Sequence, residues 1–177
     1  MIMMSFSLVV AADENLGIGI KGDLPWKLKN DMKFFRDLTS QTKDNTKINA
    51  VIMGRTTWES IPEKFRPLPN RLNIILSTTL AKDSIKTAEI ANSLNQALEI
   101  CQKKSVENCF VIGGGKVYQE AISSPHCESI HITEIKSNFS CDTFFPHFKS
   151  KFKLTTTTEY QSENNISYRF SKYTRFM

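Results

Sequence analysis

Runs rich in β-branched and aromatic residues recur along the chain, separated by stretches of helical spacing, and this alternation restricts the fold to a sheet flanked by helices. The expected strands are Phe6 to Ala12, Ile48 to Met53, Leu72 to Leu76, Phe110 to Ile112, Ser129 to Ile135, Phe152 to Thr158 and Ile166 to Tyr173. The expected helices are Met32 to Thr39, Ser93 to Lys104 and Lys116 to Ser123. Only Glu159 to Asn165 separates the last two strands, which suits an antiparallel hairpin. The predicted class is therefore α/β, with a mixed, mostly parallel central sheet, an antiparallel C-terminal edge and helices on both faces. A chain of 177 residues with 40% hydrophobic content fits a single domain over residues 1–177, and at this size roughly 70% of the unfolded surface can be buried.

Several function classes fit poorly. Cys101, Cys109, Cys127 and Cys141 show neither a CxxC pair nor metal-ligand spacing, so they read as free thiols of a reducing compartment. The N-terminal run has no basic leader or small-residue cleavage site, and no stretch approaches the roughly 18 apolar residues that span a bilayer. A cytoplasmic protein without membrane attachment is expected. The net charge of +5 is spread rather than gathered in a stripe; it suits a polyanionic small-molecule ligand or plain solubility as well as nucleic acid. His126, His131 and His147 lack partners at metal spacing, and no serine or cysteine lies in a nucleophile motif, which disfavours metal and hydrolase chemistry.

Four segments can carry chemistry. Leu16-Gly-Ile-Gly-Ile-Lys-Gly-Asp-Leu-Pro-Trp26 follows a buried strand with three glycines and five apolar residues, Leu16, Ile18, Ile20, Leu24 and Trp26. A lid over a site and a connector packed on the core both account for it. In the next helix Asp31, Phe34, Phe35 and Leu38 fall at i, i+3, i+4 and i+7, which places a carboxylate on the apolar face. Such a carboxylate needs a partner, although an acid stabilising a helix start explains it more simply. Finally, Ala50-Val-Ile-Met-Gly-Arg-Thr-Thr57 and Phe110-Val-Ile-Gly-Gly-Gly-Lys-Val-Tyr118 each run from an apolar strand through glycine into a helix, an arrangement that offers N–H groups to phosphate. Neither is the GxGxxG fingerprint, and each also reads as a ligand-free turn. Arg55, with Ser77 and Thr78, would suit the 2′-phosphate that separates NADP from NAD, and Arg71 could clamp a substrate carboxylate or remain a solvated charge.

The motifs Gly-Ile-Gly-x-x-Gly-Asp-Leu-Pro-Trp, Val-Ile-Met-Gly-Arg-Thr-Thr-Trp-Glu-Ser-Ile-Pro, Val-Ile-Gly-Gly-Gly-x-Val-Tyr and Cys-Asp-Thr-Phe-Phe-Pro resemble the dihydrofolate reductase family in sequence and order, from about Ser5 to the C-terminus. The likeness is to eukaryotic and protist members. It implies NADPH-dependent reduction of 7,8-dihydrofolate to tetrahydrofolate, which supplies one-carbon and thymidylate metabolism, and it implies binding of antifolate inhibitors. It makes Asp31 the acid that binds the 2-amino group and N3 of the pterin and assists protonation at N5, with Thr133 hydrogen-bonded to it and Trp26 and Leu24 beside the reaction.

By the same likeness Val10, Ala11, Met32, Phe35, Ile61, Leu68, Ile112 and Tyr118 would line the substrate pocket and Arg71 would hold the glutamate tail. Gly54, Arg55, Thr56, Thr57, Leu76, Ser77 and Thr78 would hold the adenosine end of NADPH. Ala11, Ile18, Gly113, Gly114, Gly115, Lys116, Val117 and Tyr118 would hold the pyrophosphate and nicotinamide, with a cis peptide between Gly113 and Gly114. Phe65 and Met32 depart from residues common in the family. A monomer is implied, either free-standing or excised from a fusion with thymidylate synthase. Two rivals remain: the riboflavin-pathway reductase of the same fold, which the Leu-Pro-Trp pattern with Asp31 disfavours, and a basic nucleic-acid-binding module suggested by Lys151-Phe-Lys153 and Tyr168-Arg-Phe-Ser-Lys-Tyr173.

Overall fold

In the computed structural model, which describes residues 3–177, β1 (Phe6–Ala12) leads through a short β2 (Gly17–Gly19) to α1 (Lys29–Ser40). Met1 and Ile2, at the head of the N-terminal run, lie outside the described residues. Then follow β3 (Asn49–Gly54), α2 (Arg55–Ser60), β4 (Arg71–Leu76), β5 (Glu89–Ala91), α3 (Leu94–Lys103), β6 (Cys109–Gly113), α4 (Gly115–Ile122) and β7 (Cys127–Ile135). The chain closes with β8 (Thr143–Phe144), β9 (Phe152–Thr157), β10 (Gln161–Glu163) and β11 (Ile166–Arg175).

The main sheet runs β10-β11-β7-β1-β6-β3-β4-β5, with β9 also paired to β11. The five contacts from β7 to β5 are parallel, and all contacts of β11 are antiparallel. This is the predicted mixed sheet. Side-chain parity sets the layers, because alternate residues of a strand face opposite sides. Leu8, Ala50, Ile52, Ile74 and Val111 join the core beneath α3 and α4, whereas Val9, Val51, Met53, Ile75 and Phe110 join the core beneath α1 and α2. Fully burying one such aliphatic side chain contributes about 1.5–3 kcal/mol, so both faces of the inner strands are held by helices. A third cluster, Trp26, Leu28, Ile135 and Tyr168, closes the β7–β11 side.

Every expected strand and helix is present, with no end displaced by more than three residues and Phe6 to Ala12 matched at both ends. The short strands β2, β5, β8 and β10 were not expected; two or three residues carry too little alternation to be read. The expected hairpin holds with a difference. β9 pairs with the far half of β11, and the tight turn lies between β10 and β11, where Asn164 and Asn165 take φ of 52° and 63°. The aromatic residues of β11 turn inward: Tyr168 and Tyr173 are buried, and Phe170 stacks on Phe34 of α1 at 4.1 Å. These rings are thus engaged within the fold, Tyr168 and Tyr173 in the core clusters and Phe170 against α1. Among the described residues no helix is long and apolar enough to cross a membrane, and all four cysteines are free thiols.

Candidate active site

Because β3 and β6 are adjacent and parallel, their two glycine turns lie side by side at the carboxyl ends of the strands, where open α/β sheets bind ligands. A Cβ on Gly54 would come within 3.1 Å of Val117 Cγ2 and 3.9 Å of the Gly113 oxygen and Gly114 nitrogen. Gly113 has φ of +140°, and the Gly113–Gly114 peptide is cis. Thr57 Oγ1 lies against both glycines, 3.2 Å from where either Cβ would be. Gly114 caps α4 without a side-chain hydrogen bond, so the first-turn N–H groups of α4 have no side-chain acceptor from the cap and can serve a phosphate. Lys116 is exposed beside them, and Gly115 packs too tightly against Thr143 to carry a side chain. The Arg55 guanidinium, half exposed, reaches Glu59 at 2.7 Å and Thr79 at 3.4 Å; Thr56 and Thr78 are exposed, and Ser77 and Leu76 are half-buried at the end of β4.

Asp31 lies in the first turn of α1, where Thr133 of β7 donates to its Oδ1 at 2.6 Å. Burial raises its pKa above the usual carboxylate value; the Thr133 hydroxyl opposes this and the negative charge of Glu163 reinforces it. Along the same helix, about 12 Å further at 1.5 Å per residue, Thr39 meets Arg71. The Arg71 guanidinium donates to Thr39 Oγ1 at 2.9 Å and to the Pro69 carbonyl at 2.8 Å. Between the two ends Phe35, Ile61, Leu68 and Ile112 all belong to the core beneath α1 and α2. One helix thus carries an acid at one end and a buried cation beside the other, with an apolar wall between.

The loop from Leu16 to Trp26 is partly strapped down. β2 and β8 form a two-stranded ribbon, the buried Asp13 carboxylate accepts from Gly17 N at 2.7 Å and Phe139 N at 3.0 Å, and Asp142 accepts from Lys21 N at 2.9 Å. Ile18 packs partly on the core, while Leu24 stays 60% exposed beyond the Ile20–Asp23 bridge. Trp26 is buried edge-on to Phe139, and its Nε1 has no hydrogen-bond partner in the protein, which leaves a donor for a bound molecule.

A family model described as dihydrofolate reductase matches residues 5–175. The chain is 44% identical to a dihydrofolate reductase of Drosophila melanogaster over 95% of this chain and 96% of that protein. It is 41% identical to a dihydrofolate reductase of Heliothis virescens over 98% of both. A bifunctional dihydrofolate reductase-thymidylate synthase of Daucus carota is 47% identical over 97% of this chain, which spans 34% of that longer protein. The chain belongs to the dihydrofolate reductase family. It is thereby a member of an oxidoreductase family, and the resemblance drawn from the four motifs is correct.

Against the roles expected for a dihydrofolate reductase, the structure brings Asp31 and Thr133 together and gathers Gly54, Thr57, Gly113, Gly114 and Val117 at one edge. Tyr118 is buried beside them, its hydroxyl donating to the Val9 carbonyl at 2.6 Å, and burial pushes its pKa up. Ala11 lies half-buried by Trp26. Three placements differ from a simple pocket lining. Val10 directs its side chain into the opposite core beneath α4, so only its backbone can face the cleft. Met32 is 68% exposed and Leu24 60% exposed, because each stands at the rim with nothing packed over it. Phe65, 57% exposed, is likewise a rim residue. Sequence reasoning missed Asp13, Asp142 and Glu163; Asp142 and Glu163 accept from Lys21 and Lys29, more than a hundred residues away, and Asp13 joins its own loop to Phe139, a contact that leaves no local signal.

Proposed function

We propose that this chain reduces 7,8-dihydrofolate to 5,6,7,8-tetrahydrofolate with NADPH. The observation that carries the reading is the spacing on α1, with the Asp31–Thr133 pair at one end and the Thr39–Arg71 pair at the other. An acid carboxyl can present a donor and an acceptor to an amino-substituted pterin ring, while a guanidinium takes the carboxylate of a glutamate tail. The paired glycine turns and the open start of α4 fit a dinucleotide pyrophosphate, because a side chain at Gly113 or Gly114 would crowd Thr57 where backbone must approach a ligand. Gly54, Thr57 and Gly113 to Tyr118 would hold it. Arg55, Ser77 and Thr78 would take the 2′-phosphate, which favours NADPH over NADH.

When bound, NADPH supplies the hydride, delivered from nicotinamide C4 to pterin C6. The chain's own residues hold the ring and handle the proton. Asp31 orients the pterin through its 2-amino group and N3. Its raised pKa keeps a larger share of it protonated near neutrality, where it assists protonation of N5. Trp26 Nε1 offers a second donor, and the Gly17 to Gly19 ribbon would help to exclude water once substrate is bound. Turnover should fall as pH rises through the Asp31 pKa. The tetrahydrofolate formed is what thymidylate synthesis requires.

Replacing Asp31 with Asn tests the assignment: turnover at neutral pH should drop by roughly 100-fold or more while NADPH affinity is kept. Undiminished turnover would remove Asp31 from the reaction.

A further inference from the structure

α1 begins without a cap of its own. Its N-cap residue is Leu28, which has no side-chain acceptor to offer the free N–H groups of the first turn. Two of those groups are satisfied from far along the chain: Glu163 Oε2 accepts from Lys29 N at 2.6 Å and Oε1 from Asn30 N at 3.2 Å. The next residue, Asn164, opens the turn between β10 and β11 and donates through Nδ2 to the Lys27 carbonyl at 3.1 Å. Further along β11, Tyr168 packs with Trp26 and Leu28, and Phe170 stacks on Phe34. The C-terminal hairpin thus grips the turn that presents Asp31, and Thr133, which pairs with Phe170 across β7 and β11, holds Asp31 from the other side.

We propose that Glu163 is a positioning residue for the reduction: by capping α1 across the β10–β11 hairpin it fixes where the Asp31 carboxyl stands and which charge faces it. The inference rests on the reading of Asp31 as the acid of the reaction. The groups around Asp31 are few. β7 contributes the Thr133 hydroxyl and, two residues away on the same face, His131; β10 contributes Glu163; the turn itself carries the exposed Lys27 and Lys29. Glu134 faces the other side of the sheet, tied to Arg169 at 2.8 Å and Tyr173 at 2.9 Å. Glu163 is therefore the anion that opposes ionisation of Asp31, and it also covers the positive end of α1 that would favour it. Removing its charge should ease ionisation and withdraw the proton from Asp31 at lower pH.

The test compares wild type, Glu163→Gln, Glu163→Asp and Asp31→Asn, reading kcat for NADPH-dependent dihydrofolate reduction against pH and titrating the carbon-13-labelled Asp31 carboxyl by NMR in the cofactor-bound protein. In Glu163→Gln the falling limb of kcat should move to lower pH, with turnover on its alkaline side slower by roughly two- to five-fold. The Asp31 resonance should move in step and KM for NADPH should stay unchanged. Glu163→Asp, which keeps the charge, should recover much of the limb. A Glu163→Gln protein of lower Tm but with wild-type limb and Asp31 titration would reduce Glu163 to a structural cap and overturn the proposal. Full activity in Asp31→Asn would instead overturn the underlying reading, and this proposal with it. Should Glu163→Gln fail to fold, Glu163→Asn, which also removes the charge, takes its place: a limb and an Asp31 titration moved to lower pH are expected, and wild-type values for both would contradict the proposal.

Discussion

Asp31 is held in opposite senses by two neighbours, since the Thr133 hydroxyl favours its charged form and Glu163 disfavours it. Thr133→Val should therefore raise the Asp31 pKa further and carry the falling limb of the pH–rate profile to higher pH. A limb that stays put or moves the other way would contradict the hydrogen bond's role. His131 provides a separate titration, one of stability. Burial, with Lys172 adding to it, pushes its pKa down to about 4 from an ordinary 6.5. Between those two values the unfolded chain binds a proton that the folded chain refuses, so stability should fall as pH drops from about 6.5 to about 4. In His131→Gln the slope of the urea midpoint over that window should flatten; an unchanged slope would assign the acid sensitivity elsewhere.

At the scale of elements, the ribbon of β2 and β8 depends on one buried carboxylate. Asp13 accepts from Asn15 N, Gly17 N and Phe139 N, and Asp13→Ala would strand those donors. The expected loss is about 2–5 kcal/mol in urea unfolding, with faster amide exchange through Gly17 to Gly19; a loss below about 1 kcal/mol would mean that the ribbon stands without it. These elements also mark where the sequence could be read. Ser93 announces α3 because it accepts from Gln96 N three residues on, and the inner strands announce themselves by continuous apolar runs. The start of α1 does not, because its cap is Glu163; the expected start at Met32 lies three residues beyond the observed Lys29 for that reason. β10 is equally silent, being three polar residues held by their pairing with β11.

For the molecule as a whole, parity along β1, β3, β4 and β6 divides the interior into two cores, and it is their junction at the strand ends that brings the glycine turns together. That architecture was legible, since the apolar runs and the glycines after them are local features. The pairing of Asp31 with Thr133 was legible only through family likeness, because no pattern within α1 or β7 says that they meet. Val10 shows the limit of such transfer: its position suits the cleft, but strand alternation turns its side chain the other way. The proposed reduction of dihydrofolate by NADPH is tested most directly by following reduced-nicotinamide absorbance when the purified protein meets both compounds, with NADH, substrate-free and methotrexate-treated controls. Rapid oxidation that prefers NADPH, needs dihydrofolate and stops with methotrexate is the expected result; a folded protein that leaves NADPH unoxidised with dihydrofolate, yet oxidises it with the ribosylamino-pyrimidine of riboflavin synthesis, would contradict the proposed function.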